Sequence, residues 1–207
     1  MKKLVGLVVV CTSMLCASGS AWALKANAAA GKEKSALCHG CHGEKGISVA
    51  PNFPNLAGQY SGYIKKQIRD FQAGKRNDDT MSPMAATVTE AQDLEDIAAY
   101  FMSQSPMKGS GSKGAKADKG KQLFMEGNLE KGVYGCKNCH GENGKGKAAE
   151  NHLFPVLAGQ NKDYLVKQLM DLKEGRRTND PAGMMGDIAK GLSAEEIDNL
   201  AEYLSGL

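Results

Sequence analysis

The chain has 207 residues, and 26 Lys and Arg nearly balance 23 Asp and Glu, for a formal net charge of +3. That length allows one or two small domains. So slight a charge gives no electrostatic footing for nucleic acid, and beyond the N-terminal segment no apolar run is long enough to span a bilayer.

The chain opens Met1-Lys2-Lys3, continues through the apolar run Leu4 to Val10 and reaches Ala21-Trp22-Ala23. A basic start, an apolar middle and an A-x-A site read as a secretory signal peptide over residues 1–23, cut after Ala23. A retained membrane anchor competes with this, but Thr12, Ser13, Ser18 and Ser20 break the stretch below spanning length. Cys11 and Cys16 leave with the leader. Met14-Leu15 fits a lipid anchor on Cys16 poorly. Loss of Lys2 and Lys3 lowers the net charge to +1.

Next comes Cys38-His39-Gly40-Cys41-His42, which returns as Cys136-Lys137-Asn138-Cys139-His140. C-x-x-C-H is the attachment signature of a c-type haem. Two thiols three positions apart add to the two vinyl groups of one porphyrin. The adjoining histidine then lies under the ring and gives the iron an imidazole nitrogen. Two copies imply two covalently bound haems c, on Cys38 and Cys41 and on Cys136 and Cys139, with His42 and His140 as iron ligands. A single zinc site built from both pairs is the alternative. Zinc ribbons space their pairs by about 15–20 residues, whereas more than ninety separate these. A thioredoxin-like pair needs a βαβ setting that the sequence lacks. Haem attachment outside the bacterial cytoplasm agrees with the leader and makes the periplasm the expected location.

The motifs sit inside a longer repeat. C-x-x-C-H-G-E, F-P-x-L-A-G-Q, Y-x-x-K-Q-x-x-D, G-x-R and M-x-x-x-A recur in order, followed by a helix containing a tyrosine. Unit two has small insertions around Ala148–Asn151 and Pro181–Gly183. The expected domains are 24–105 and 118–207. Residues 106–117, rich in Gly, Ser and Lys without apolar period, read as a flexible, solvated linker. The lysines there, which cluster as Lys108, Lys113 and Lys116 with Lys119 just beyond, are either simply solvated, the favoured reading, or a patch for an acidic partner.

Each unit reads as all-α. A first helix spans about Ala28 to Leu37, and about Asp118 to Glu126. An amphipathic helix follows at Ser61–Ala73 and Lys162–Glu174, with Ile64, Ile68 and Phe71 on one face and Leu165, Leu169 and Leu172 on the other. Gly74 and Gly175 stop these helices. Capping boxes at Thr89-Glu90-Ala91-Gln92 and Ser193-Ala194-Glu195-Glu196 start the last helices. Their apolar stripes are Leu94, Ile97, Ala98 and Phe101, and Ile197, Leu200, Ala201 and Leu204.

The sixth iron ligand must come from elsewhere. Methionine thioether is the soft donor that raises the potential of a haem. Most of the ten methionines are packing, but the repeat discriminates. Counting back from Val88-Thr89 and from Leu192-Ser193 overlays Met81 on Met185. Met84 then falls opposite Ile188, and Met184 opposite Thr80. Met81 and Met185 are the expected ligands, on loops before the last helix. His39 is expected to point away from the iron. His152 could be a sixth ligand or a surface residue, and the surface is favoured. The carbonyls of Pro54 and Pro155 are candidate acceptors for the second imidazole nitrogen of His42 and His140. Tyr63, Tyr164, Arg76 and Arg177 recur in both units, as contacts for haem propionates or as plain surface.

A cleaved leader, two haem-motif units, F-P-x-L-A-G-Q after each motif and Asp93-Leu94-Glu95-Asp96-Ile97-Ala98-Ala99-Tyr100-Phe101 closing the first unit resemble the diheme cytochromes c4. The resemblance spans nearly the whole mature chain. It implies two tandem class I cytochrome c domains, each wrapped around one His/Met haem, related by a pseudo-twofold axis with the haems near the interface. It also implies periplasmic electron carriage from a quinol-oxidising cytochrome bc complex toward a haem-copper terminal oxidase, with loose attachment to the membrane.

An electron carrier rather than an enzyme is expected, since an iron with both axial positions filled offers no place for substrate. The alternatives are the cytochrome subunit of a flavin-linked sulfide dehydrogenase and a diheme peroxidase. The first would need a flavoprotein partner and the second an open iron position.

Overall fold

Two glycines set how closely the helices of each domain cross. In the computed structural model, which describes residues 24–147 and 153–207, Gly31 of α1 (Ala28–Lys34) lies on α5 (Ala91–Ser103). A Cβ at Gly31 would stand 2.0 Å from the Asp96 carbonyl oxygen. Gly120 of α6 (Ala115–Glu126) meets α10 (Ala194–Gly206) the same way, its absent Cβ 2.0 Å from the Asn199 oxygen. Only glycine lets the backbones touch there. The first and last helices of each unit therefore clasp, and the remaining elements fill in around them.

The first domain adds α2 (Ala36–His42), α3 (Ser61–Gln72) and α4 (Met81–Ala86). The second adds β1 (Gly127–Asn128), β2 (Val133–Tyr134), α7 (Lys137–His140), α8 (Lys162–Lys173) and α9 (Met184–Lys190). Ile64, Ile68, Phe71, Leu94, Ile97 and Phe101 form the first core; Leu123, Phe124, Leu165, Ile197, Leu200 and Leu204 form the second. The stripes read from the sequence are thus the faces that meet. Burying each such large side chain is worth roughly 1.5–3 kcal/mol. Leu169 is only half-buried. Among the described residues no helix is long and apolar enough to cross a membrane.

Several local expectations need correction. The helix expected over Ala28–Leu37 breaks at Ser35, whose hydroxyl bonds the Lys32 carbonyl at 3.0 Å and His39 Nε2 at 2.8 Å. A serine side chain that bonds nearby groups competes with the helix ladder. The antiparallel ribbon β1–β2, with Gly127 opposite Tyr134 and Asn128 opposite Val133, was not expected; strands of two residues carry no readable alternation. It is an insertion between α6 and α7 that the first domain lacks. The Ser193 box forms as expected, with Glu196 reaching back to the Ser193 N–H at 2.7 Å. The Thr89 box does not, because Gln92 instead donates to the Lys25 carbonyl and to Asp96.

The segment expected as a solvated linker packs between the domains over its first half. Met107 is buried with Ala57 and Val156. Its N–H bonds the Ala57 carbonyl at 3.3 Å, and those of Gly109 and Gly111 bond the Leu207 and Gly206 carbonyls. One apolar residue among glycines and lysines gives no periodicity to read. Lys116 and Lys119 are engaged by Asp198 and Glu195.

Candidate haem sites and the cavity they share

Each motif ends a short helix with its histidine turned inward. His42 donates from Nδ1 to the Pro54 carbonyl at 2.9 Å, and His140 to the Pro155 carbonyl at 3.1 Å. A carbonyl only accepts, so the proton sits on Nδ1 and the lone pair on Nε2 stays available to a metal. Burial pushes the pKa of both rings down, against the opposing pull of the carbonyls, and keeps them neutral. Phe53 and Phe154, from the two F-P-x-L-A-G-Q loops, stand edge-on to these imidazoles at 6.3 and 6.4 Å between ring centres. The loop following each motif is therefore the wall that orients its histidine. His39 is held aside by Ser35, and His152 lies outside the described residues.

Cys38 and Cys41 line a cavity with His42, and Cys139 lines it with His140. Cys136 packs against the second core. Burial raises the Cys38 thiol and pushes Cys136 up to about 11. Among the described residues no three His, Cys, Asp or Glu converge on a point. The two C-x-x-C pairs therefore do not build one zinc site.

The methionines lie on short helices, α4 and α9, not on the loops expected. Runs of six and seven residues before a break give too few turns for a 3.6 period to show. Asp78 accepts the N–H groups of Thr80 and Met81, at 3.1 and 3.0 Å. Asp180 accepts those of Met185 and Gly186, at 2.8 and 3.1 Å. Four residues on, Ala85 and Ala189 are both fully buried. Met81 and Met185 thus occupy equivalent half-buried positions on the cavity wall. Met84 and Met184 also touch the cavity, and Met184 is 43% exposed.

The cavity is continuous across the domain boundary, about 1010 Å³, and both motif histidines open onto it. Polar side chains of both domains meet along its wall. Arg76 bonds Gln67 in its own domain, and Tyr164 and Gln168 in the other, at 2.7, 3.1 and 2.7 Å. Arg177 bonds Gln168 at 2.9 Å and crosses to Tyr63 at 3.2 Å. Burial alone would raise the Tyr63 phenol, but the Arg177 and Arg76 guanidiniums outweigh it and hold the pKa below its ordinary value. Neither arginine has a carboxylate partner among the described residues. Buried charges are normally paired, so this cavity suits a ligand bearing anionic groups. A porphyrin with propionates, two thiol anchors and an imidazole lone pair fits what each half offers.

Two features were missed by sequence reasoning. Gln59 and Gln160 close F-P-x-L-A-G-Q in both units, yet their amides point into the opposite domain. Asn179 likewise crosses to Gln67 at 3.0 Å and to Asp70 at 2.6 Å. Recurrence in the repeat singled out the glutamines, but nothing local revealed where they reach.

The family model for cytochrome c matches this chain twice, over residues 28–105 and 117–207. A cytochrome c4 of Pseudomonas aeruginosa is 43% identical, covering 87% of this chain and 89% of that protein. A protein named thiosulfate dehydrogenase electron acceptor, of Stutzerimonas stutzeri, is 36% identical, covering 82% of this chain and 78% of its own. The crystal structure of reduced recombinant cytochrome c4 from Pseudomonas stutzeri superposes with a TM-score of 0.83 at 42% identity, over 88% of this chain and all of that one.

Proposed function

The chain belongs to the cytochrome c family as one of its two-haem electron carriers, the cytochromes c4, and we propose on that basis which route its electrons take. They pass through the periplasm from a quinol-oxidising cytochrome bc complex toward a haem-copper terminal oxidase, and the carrier docks loosely at the membrane surface. A leader over residues 1–23 exports the chain; residues 24–105 and 118–207 each hold one haem.

The haems supply a one-electron ferric/ferrous couple. Cys38 and Cys41 anchor one, Cys136 and Cys139 the other. His42 and Met81 would hold the iron in the first domain, His140 and Met185 in the second. The Pro54 and Pro155 carbonyls fix each imidazole with Nε2 free, and Met/His ligation suits a carrier of raised potential. Were each iron held by both its histidine and its methionine, no position would be left for a substrate, and the protein would exchange electrons without transforming anything itself.

One observation carries this: each domain presents the same histidine–carbonyl pair and the same Asp-held methionine helix to one shared cavity. The test is stopped-flow reduction of the mature holoprotein by quinol and membranes containing the bc complex. Fast reduction, blocked by a bc inhibitor and followed by reoxidation through the oxidase, is expected. Absence of inhibitor-sensitive reduction would refute the route.

The thiosulfate dehydrogenase electron acceptor among the relatives supports a second donor, a thiosulfate-oxidising dehydrogenase. Rapid reduction by thiosulfate only when such an enzyme is added would favour it.

A further inference from the structure

Each of the two motif histidines lies two hydrogen bonds from a glutamine of the other domain. His42 donates to the Pro54 carbonyl at 2.9 Å. The same peptide unit continues as the Asn55 N–H, which donates at 2.8 Å to Oε1 of Gln160 in the second domain. The second domain repeats the arrangement. His140 donates to the Pro155 carbonyl at 3.1 Å, and the adjoining Val156 N–H donates at 3.1 Å to Oε1 of Gln59.

The amides are fixed from every side. Gln160 Nε2 donates to the Asn55 carbonyl, and Gln59 Nε2 to the Val156 carbonyl, both at 2.9 Å. A backbone N–H only donates and a carbonyl only accepts, so oxygen and nitrogen of each side chain are assigned by their partners. Each Oε1 also accepts the next N–H of its own domain, from Tyr60 at 3.0 Å and from Asn161 at 2.8 Å. Those residues are the N-caps that immediately precede α3 and α8. Asn55, Gln59, Val156 and Gln160 are all buried. Turning either amide would leave buried groups unpaired.

We propose that Gln160 and Gln59 are positioning residues for electron carriage, each setting across the domain boundary how strongly the histidine of the other domain donates to its iron. This rests on the axial-histidine assignment above. Hydrogen bonds in a chain polarise one another. A peptide whose N–H is engaged presents a stronger carbonyl acceptor. A stronger acceptor draws on the Nδ1 proton and makes the Nε2 lone pair more basic. A more basic ligand favours the ferric ion and lowers the potential. Gln160 thus lowers the potential of the His42 haem, and Gln59 that of the His140 haem. Both bonds of the His42 chain are the shorter ones, so Gln160 has the larger effect. The interface between the domains is then part of each iron's ligand environment.

The test uses the mature two-haem protein and the variants Gln160→Met and Gln59→Met, which keep volume and remove the amide. Two readouts are taken: both reduction potentials, and the Nδ1–H resonances of His42 and His140 in the reduced protein with their exchange in D2O. Tyr60→Phe is the control, since it removes a different cross-domain bond, to the Lys145 carbonyl at 2.7 Å. Gln160→Met is expected to raise the potential of the His42 haem, shift its Nδ1–H and speed its exchange, with His140 little changed. Gln59→Met is expected to do the reverse, by a smaller shift. Unmoved potentials and ring protons would overturn the proposal, and so would equal shifts at both haems matched by Tyr60→Phe. A wild type without two imidazole-ligated haems would instead overturn the axial assignment, before any variant is compared.

Discussion

The Asp180 carboxylate accepts the main-chain N–H of Met185 at 2.8 Å, as Asp78 accepts that of Met81 at 3.0 Å. In each domain one acid caps the short helix that carries the methionine. The second domain reaches the same result across three extra residues, Pro181 to Gly183, with Ala182 at a φ of 54°.

Removing this cap is expected to loosen the methionine before it loosens the fold. Asp180→Ala costs about 1 kcal/mol by analogy with other helix caps. The sulfur-to-iron absorption band of the second haem should then fade at lower temperature than global unfolding, while half of the band persists. Melting curves of that band against the far-ultraviolet helix signal check this. Coincident transitions in wild type and variant would show that the cap does not hold the ligand.

The helix crossings allow a sharper stability test. Gly120→Ala puts a methyl group where the Asn199 oxygen stands. Overpacking costs typically 1–3 kcal/mol, and here backbone meets backbone, so about 2 kcal/mol or more is expected. Denaturant midpoints at unchanged slope would measure it. A variant as stable as wild type would mean that the α6–α10 contact is looser than described.

Acid should act on the two domains differently. Lys34 bonds Asp96 at 2.6 Å, and with the Asn27 N–H and Gln92 amide it holds that carboxyl below its usual value. A depressed folded-state pKa stabilises above the unfolded value, about 3.9, and that stability is lost as pH falls through the folded value. The equivalent residue in the second domain is Asn199, which has no charge to lose. Asp96→Asn is expected to be less stable than wild type at neutral pH. The gap should begin to narrow near the unfolded value, about pH 4, and close once the pH has fallen past the lower folded-state value. Melting temperatures from pH 7 downward test this; a gap independent of pH would contradict it.

Much of this was legible because it is local. Each motif fixes a histidine by its neighbours, and the repeat aligned Pro54 with Pro155 and Met81 with Met185 without any fold in hand. The apolar stripes of α3, α5 and α10 followed from helical spacing. What escaped was non-local or too short. Arg76 and Tyr164 are far apart in sequence, so recurrence marked both but could not say that they meet. The ribbon Gly127–Tyr134 and the helix Met81–Ala86 lack the length for a period. Thr89 lost its box because Gln92 found Asp96 and the Lys25 carbonyl, partners no local pattern contains.

The interface arginines give one further expectation. Arg76→Met removes a buried guanidinium that faces the shared cavity. It is expected to lower both potentials, since a nearby positive charge disfavours the ferric ion. The loss of its hydrogen bonds should cost about 1–3 kcal/mol. Spectroelectrochemistry at constant pH decides; unchanged or raised potentials would place the guanidinium's charge elsewhere.

The most direct measurement is the absorption spectrum of the mature holoprotein, oxidised and reduced, with haem counted per chain and the near-infrared sulfur-to-iron band included. Two low-spin haems per chain are expected, both showing that band, with half of it lost in Met81→Ala and the other half in Met185→Ala. One haem per chain, a high-spin centre, or a band untouched by either substitution would contradict the assignment of two His/Met irons.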